Sequence, residues 1–226
     1  MKIENILLGQ AVRLLNISNV GGGTIYGVNL TKALQNRYGF LEAPRTLAEY
    51  DFSKGVTFSH GYFRGIVIDR FQIYNDGVLA DGKVNTDICE AFLDDLLKWI
   101  REEAGIVATD KPESPRIFGS NLEVHSPLSL PNVLPAIGKL AEAITDSLRS
   151  YGLTTPPELY LSGLSLSSPL GPPQPFWRPP AFKFERREGS PESSQLYFSM
   201  SGLRTSDHLK VLTLLESLLT SAPTAS

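Results

Sequence analysis

Three consecutive glycines, Gly21, Gly22 and Gly23, are the first residues along the chain whose type and spacing could do chemistry. A glycine-rich loop ahead of a helix can present backbone N–H groups and a helix N-terminus to a phosphate. The sequence lacks the specific forms of this motif, because no Gly-Lys-Ser/Thr follows and no G-x-G-x-x-G comes after a strand. We therefore predict a flexible or oligomer-contacting loop at these glycines, with phosphate binding as the alternative.

Three carboxylates form a second candidate group. Asp69, Asp76 and Asp81 surround a predicted β-hairpin and could pair there, as the ligands of some metal-dependent nucleases do. Catalytic and metal-binding side chains must converge on one cleft, and spacing alone does not show such convergence. Asp76 is better explained by the turn of the hairpin, so we predict no catalytic residue in this group.

The three histidines, His60, His125 and His208, are scattered over two predicted strands and the start of a helix. None of the spacings HxH, HxxxH or HExxH occurs, so we predict no metal site. We interpret His208, which follows Asp207 in the first turn of a predicted helix, as a capping-region residue.

Nucleophilic residues give no better candidate. The G-x-S-x-G pattern of many hydrolases does not occur, since the stretch 163–167 lacks the final glycine. The single cysteine, Cys89, lies on the apolar face of a predicted helix and has no basic neighbours to stabilise a thiolate. We predict neither a nucleophilic hydrolase site nor a cofactor.

Aromatic residues and arginines near a Pro-rich segment form the best candidate for binding. Such side chains can stack on bases and grip phosphates, and they also dominate protein–protein interfaces. Glu185 and Glu188 cancel much of the local positive charge. We therefore favour a protein contact, with an internal ion-paired strand or a nucleic-acid site as alternatives. The predicted partner-binding residues are Phe176, Trp177, Arg178, Arg186 and Arg187.

Composition limits the class of protein further. The chain has 226 residues, of which 42% are hydrophobic, and this is enough for a core without disulfides. The net charge of −3 argues against non-specific binding to nucleic acid or to an anionic membrane. One cysteine indicates a reducing compartment, and we see neither a signal peptide nor an apolar run of about 18 residues. We predict a cytoplasmic protein.

The strongest folding pattern runs from Gly65 to Gly105 and predicts a β-hairpin followed at once by an amphipathic helix. Its turn is 75–77, Asn-Asp-Gly, whose residues tolerate positive φ. In its first strand, Val67 falls on the predicted buried face. Asn85 or Thr86 can cap the helix, which ends at Gly105. The predicted apolar face of the helix consists of Ile88, Cys89, Phe92, Leu93, Leu96, Leu97, Trp99 and Ile100.

Weaker patterns place the remaining elements. Helices are predicted from Asn29 or Thr31 to Gly39, from about Leu130 to Gly152, and from Ser206 onward. The middle helix carries an apolar stripe that includes Leu140, Ile144 and Leu148. The last one carries Leu209, Leu212, Leu215 and Leu219. Strands are predicted at 56–63, 117–125, 159–166, 182–187 and 195–200, a polar loop at 106–115, and either a helix or a strand within 3–17.

Runs of strands separated by single helices favour the α+β class, with a largely antiparallel or mixed sheet and three to four amphipathic helices packed on it. We predict one globular domain over residues 1–220, with the Pro-rich segment 169–180 as an internal arm and 221–226 as a flexible tail. The expected function is a non-enzymatic subunit or adaptor that binds a protein partner or its own copy as a homo-oligomer. The alternative is a nucleotide- or nucleic-acid-processing enzyme that uses Gly21–Gly23 or the hairpin carboxylates.

Overall fold

The computed structural model of the chain describes residues 1–19, 27–112, 114, 116–128, 135–151, 155, 159, 161–167, 180–191 and 194–220. At 17–19, 27, 28 and 135–138 it describes the main chain alone.

These residues form nine strands and four α-helices together with the loops between them. The strands are β1 Lys2–Asn19, β2 Val56–Phe63, β3 Ile66–Tyr74, β4 Gly77–Gly82, β5 Ile106–Asp110, β6 Ile117–His125, β7 Gly163–Leu166, β8 Phe182–Arg186 and β9 Leu196–Ser201. The helices are α1 Gly27–Tyr38, α2 Thr86–Ala104, α3 Pro135–Ser150 and α4 Thr205–Thr220, with a short 3-10 helix at Leu47–Glu49.

All strand pairings are antiparallel, and eight strands follow the order β2-β3-β4-β1-β6-β9-β8-β7 across one sheet. The ninth strand, β5, pairs with Leu15–Asn19 at the end of β1. The predicted α+β class with an antiparallel sheet is confirmed.

The sheet consists of two halves with the same layout. In the first half β1, α1, β2, β3, β4 and α2 follow one another, and in the second half β6, α3, β7, β8, β9 and α4 do the same. The strand order reads identically outward from the central pair β1–β6, in which Gly9 lies opposite Ser120. Gly9 also pairs with Gly82 of β4, and Ser120 with Ser201 of β9. An approximate twofold axis therefore passes between Gly9 and Ser120.

The two helix starts next to this axis bond to each other. Thr86 N–H donates to Thr205 Oγ1 at 3.1 Å, and Thr205 N–H donates to Thr86 Oγ1 at 2.9 Å. A Cβ at Gly9 would lie 2.0 Å from the Val84 carbonyl oxygen, so only glycine lets the start of α2 come this close to the sheet.

The hairpin and the long helix form as predicted. The strands β3 and β4 pair from Tyr74–Gly77 to Arg70–Asp81. The Asn85 side chain accepts from Ile88 N–H at 3.0 Å at the start of α2, and Gly105 ends the helix at φ 62. Such an N-cap is worth about 1 kcal/mol.

Side-chain alternation in the hairpin differs from the prediction. Ile68 is fully buried, and Val67, which we assigned to the buried face, is exposed. The alternation of buried and exposed side chains also shifts by one residue in the paired strand β2. There Phe58 and Gly61 are both buried, and His60 lies between them at φ 55. Gly61 pairs with Ile68, so the shift occurs at the same position along both strands. A strict period of two therefore assigns Val67 wrongly.

Two other segments are strands that the local sequence pattern does not identify. The segment 106–115, predicted as a polar loop, contains β5, whose Ile106 and Ala108 are buried while Thr109 and Asp110 are exposed. The segment 3–17, for which the sequence allows a helix or a strand, belongs to β1. β1 is defined by its pairing with β4, β6 and β5, and β5 by its pairing with β1, which no local pattern shows.

Each half has its own core. Six rings pack together beneath α1 and α2: Tyr38, Phe40, Phe58, Phe63, Phe71 and Phe92. The second core lies beneath α4 and consists of Leu122, Val124, Leu128, Phe184, Tyr197 and Leu212.

Candidate functional site

The last helix is apolar on two sides. Its inner row, Leu209, Leu212, Leu215 and Leu219, packs on the second core as the sequence predicts. Its outer row consists of Val211, Leu214 and Leu218. Leu214 is 56% exposed and Leu218 is 58% exposed, while Val211 is half-buried.

Helix α3 carries a second exposed row. The α3 row consists of Leu140, Ile144 and Leu148, spaced four residues apart. Leu140 is 56% exposed, Ile144 is 43% exposed, and Leu148 is half-buried. Tyr151 just beyond the helix is exposed as well. Contiguous exposed apolar side chains on folded proteins mark interaction surfaces.

The predicted partner-binding cluster lies only partly in the described chain. Phe176, Trp177 and Arg178 lie outside the described residues. Arg186 is the last residue of β8, and Arg187 follows it with Nε 3.1 Å from the Glu123 carboxylate. Two aromatic residues close to this cluster in sequence lie inward: Phe184 is fully buried against Tyr197, and Phe182 packs against the second core. The assignment of the five residues as a binding site stays a prediction.

The possible phosphate-binding residues, Gly21, Gly22 and Gly23, also lie outside the described residues. The helix that follows begins at Gly27 and ends at Tyr38, with Gly39 at φ 62. Phosphate binding by this loop stays a prediction.

The hairpin carboxylates each have a partner within the fold. Asp69 accepts from Lys83 N–H at 3.0 Å, and Asp76 pairs with Lys111 at 3.3 Å. The buried Asp81 accepts from Arg70 Nε at 2.9 Å. Within the described ranges, no three His, Cys, Asp or Glu side chains lie close enough together to hold a metal ion.

His208 is a core residue, which corrects its interpretation as a capping-region residue. It is fully buried. Ser199 Oγ donates to the Lys183 carbonyl at 2.7 Å and so accepts from His208 Nε2–H at 2.8 Å. His208 Nδ1 then accepts from Ser120 Oγ–H at 3.1 Å. Burial lowers the pKa of His208 to about 4, so the ring is neutral at pH 7 and ties α4 to β6 and β9.

Cys89 occupies the matching place in the first half. Its buried Sγ donates to the Gly9 carbonyl at 3.3 Å, as His208 bonds to Ser120, the residue opposite Gly9. Burial raises the pKa of the thiol to about 12, so Cys89 is not a reactive thiolate at neutral pH.

An ion-pair cluster that our sequence reasoning missed joins the two halves. The nearly buried Glu90 of α2 pairs with Arg204 Nη2 at 2.8 Å and with Arg116. The Arg204 guanidinium also lies 4.6 Å from the centre of the Phe118 ring. These partners are distant in sequence, so spacing gives no sign of them.

The first core also contains a cavity of about 480 Å³. Its walls come from α1, α2 and the sheet and include Leu34, Phe71 and Leu97. Among the described residues that line it, the one polar side chain is Tyr50, whose hydroxyl already bonds to Thr31 Oγ1 at 3.0 Å. Such a cavity suits an apolar molecule.

No described helix combines the length and apolar composition needed to cross a bilayer. Comparison of the sequence with protein families and with curated proteins found no match. The proposed function therefore rests on the geometry of this chain alone.

Proposed function

We propose that this chain is a non-enzymatic, cytoplasmic subunit or adaptor that acts through protein–protein contacts and associates with its own copies. The observation that carries the proposal is the exposure of two apolar rows, the outer row of α4 and the α3 row. Covering such rows removes apolar surface from water, which stabilises an assembly by about 25 cal/mol per Å² before the cost of association.

The polar groups at the centre of the molecule support the same conclusion. His208, Ser120 and Ser199 satisfy one another in the core, and Cys89 is buried with a raised pKa. These groups fix α2 and α4 on the sheet, whereas the exposed apolar rows are available for contact with another protein.

Native mass measured by light scattering tests the proposal. We expect a multiple of 24.8 kDa, with a ratio of absorbance at 260 and 280 nm that excludes bound nucleic acid. A mass of 24.8 kDa at every concentration measured would contradict self-association.

A second candidate function, binding of an apolar small molecule, is favoured by the cavity in the first core. Its volume of about 480 Å³ falls in the range of small-molecule pockets. If the cavity takes such a ligand, 1-decanol should raise the melting temperature, because a ligand that binds only the native state stabilises it. Glycerol at the same concentration is the control, and equal shifts with both compounds would argue against a specific apolar site.

A further inference from the structure

The first half of the molecule shows how a helix packs on α2. The Tyr38 ring of α1 lies 5.0 Å from the Phe92 ring and 6.3 Å from the Trp99 ring, centre to centre. The Tyr38 hydroxyl donates to Asp95 at 2.8 Å, and Arg37 pairs with Asp95 at 2.9 Å. The last two residues of α1, Arg37 and Tyr38, therefore contact α2 along Phe92, Asp95 and Trp99.

The outer row of α4 is the counterpart of this contact. The twofold axis brings Thr86 of α2 onto Thr205 of α4, which lie 119 residues apart in sequence and bond reciprocally. With the same separation of 119 residues, Phe92 of α2 corresponds to Val211 of α4, Asp95 to Leu214 and Trp99 to Leu218. The surface of α2 that the end of α1 contacts therefore corresponds to a surface of α4 on which Leu214 and Leu218 are exposed.

Helix α3 is the counterpart of α1. In each half this helix follows the central strand, and α1 packs Leu30, Leu34 and Tyr38 into the core at the four-residue spacing of the α3 row. Their burial differs, because Leu34 is 1% exposed and Ile144 is 43% exposed.

The contact surface on α4 differs in chemistry from its counterpart on α2. In the first half, the carboxylate of Asp95 meets the hydroxyl of Tyr38 and the guanidinium of Arg37. In the second half Leu214 stands in place of Asp95. On α3 the row Leu140, Ile144 and Leu148 is apolar as well. Both surfaces are apolar and both contain exposed side chains, so they are complementary.

We propose that the α3 row of a second copy of this chain docks on the outer row of α4, the surface that corresponds to the α1 contact on α2. This inference rests on the proposed self-association and identifies the surfaces through which two copies bind each other. In one chain both rows stay exposed, so each copy offers one α3 row and one outer row. When two copies exchange α3 reciprocally, both α3 rows and both outer rows are covered. The result is a closed dimer with twofold symmetry.

The connections of α3 have the length for such an exchange. β6 ends at His125 and α3 begins at Pro135, and α3 ends at Ser150 while β7 begins at Gly163. Both connections are longer than the roughly two to six residues that commonly link neighbouring elements.

Charge placed in the outer row tests the contact. We expect the double variant Leu214→Glu with Leu218→Glu to have the monomer mass of 24.8 kDa under conditions in which the unchanged chain is a dimer. The matched control, Thr213→Glu with Ser217→Glu, adds the same charge at exposed positions of the same helix and should remain a dimer. Circular dichroism is the check that both variants are folded. A folded outer-row variant that keeps the dimer mass would overturn the inference and leave self-association standing, whereas a monomeric unchanged chain removes the proposed function itself.

Cross-linking decides whether α3 comes from the second copy. Ile144→Cys and Leu214→Cys are made in separate chains, one carrying a tag, and the mixture is treated with a short bismaleimide. Cys89 is buried with a raised pKa, so the introduced thiols react selectively. We expect a covalent heterodimer of tagged and untagged chains. A further variant carries both substitutions in one chain. The inference is overturned if the heterodimer is absent, or if the linkage forms only within single chains of this double variant.

Discussion

At the scale of single residues, His208 shows how the fold determines chemical character. Next to Asp207 in the sequence it resembles a solvent-facing helix start, but Ser120 and Ser199 bond both ring nitrogens in the core. The same two hydroxyls would have to accept from a charged ring, and Ser120 would then lose its bond as a donor. The structure therefore stabilises the neutral imidazole.

The lowered pKa of His208 predicts a pH dependence of stability. The unfolded chain takes up a proton near pH 6.5, whereas the folded chain does so only near pH 4. Between these values the unfolded state binds more protons, so the unfolding free energy falls as the pH decreases, by about 3 kcal/mol in total.

Denaturant unfolding at several pH values measures this effect. The variant His208→Gln should lose this part of the pH dependence, and His125→Gln, at a more exposed histidine, is the matched control. Identical pH profiles for the unchanged chain and His208→Gln would contradict the assignment.

At the scale of elements, local sequence patterns predicted the strands and helices that begin or end at a recognisable turn or capping residue. The turn at 75–77, the Asn85 cap and the Gly105 terminus identify the hairpin and α2 without any knowledge of the sheet. β5 could not be recognised in this way, because two of its five residues are exposed and polar and its identity comes from pairing with β1.

The candidate site likewise has a part that the sequence predicted and a part that it did not. The sequence predicted the apolar stripes of α3 and α4 from helical spacing. It did not identify the outer row of α4, and it could not predict that the α3 stripe stays partly exposed, because exposure depends on which neighbours each helix meets.

The paired helix starts give a prediction at this scale. Thr86→Val removes the Oγ1 that accepts from the buried Thr205 N–H, and Thr205→Val does the reverse. Each substitution leaves a buried donor unsatisfied and should cost about 1–3 kcal/mol of unfolding free energy.

Chemical denaturation of both variants checks this estimate. Thr213→Val, at an exposed position of α4, should change stability by less than about 0.5 kcal/mol. If the Thr86 variant were no less stable than this control, the reciprocal bonds would not hold the two halves together.

At the scale of the whole molecule, two halves of the same layout carry different side chains. Gly9 faces Ser120, and Cys89 corresponds to His208. The predicted order of elements already contained the duplicated layout, but the separation of 119 residues between Thr86 and Thr205 is far longer than the period of 20–50 residues that marks most repeat proteins. Only the strand pairing reveals the axis.

The halves also differ in how their helices are covered. The end of helix α1 contacts α2 within the chain, whereas the α3 row and the outer row of α4 both contain exposed side chains. The central claim is that these two rows cover each other between two copies of the chain.

Amide hydrogen exchange of the unchanged protein at low and high concentration tests this claim most directly, because association protects the amides of helices that it orders. We predict that protection of α3 and α4 rises with concentration, while protection of the central strands β1 and β6 stays constant. Exchange in α3 and α4 that is independent of concentration, measured while the native mass increases, would contradict the claim.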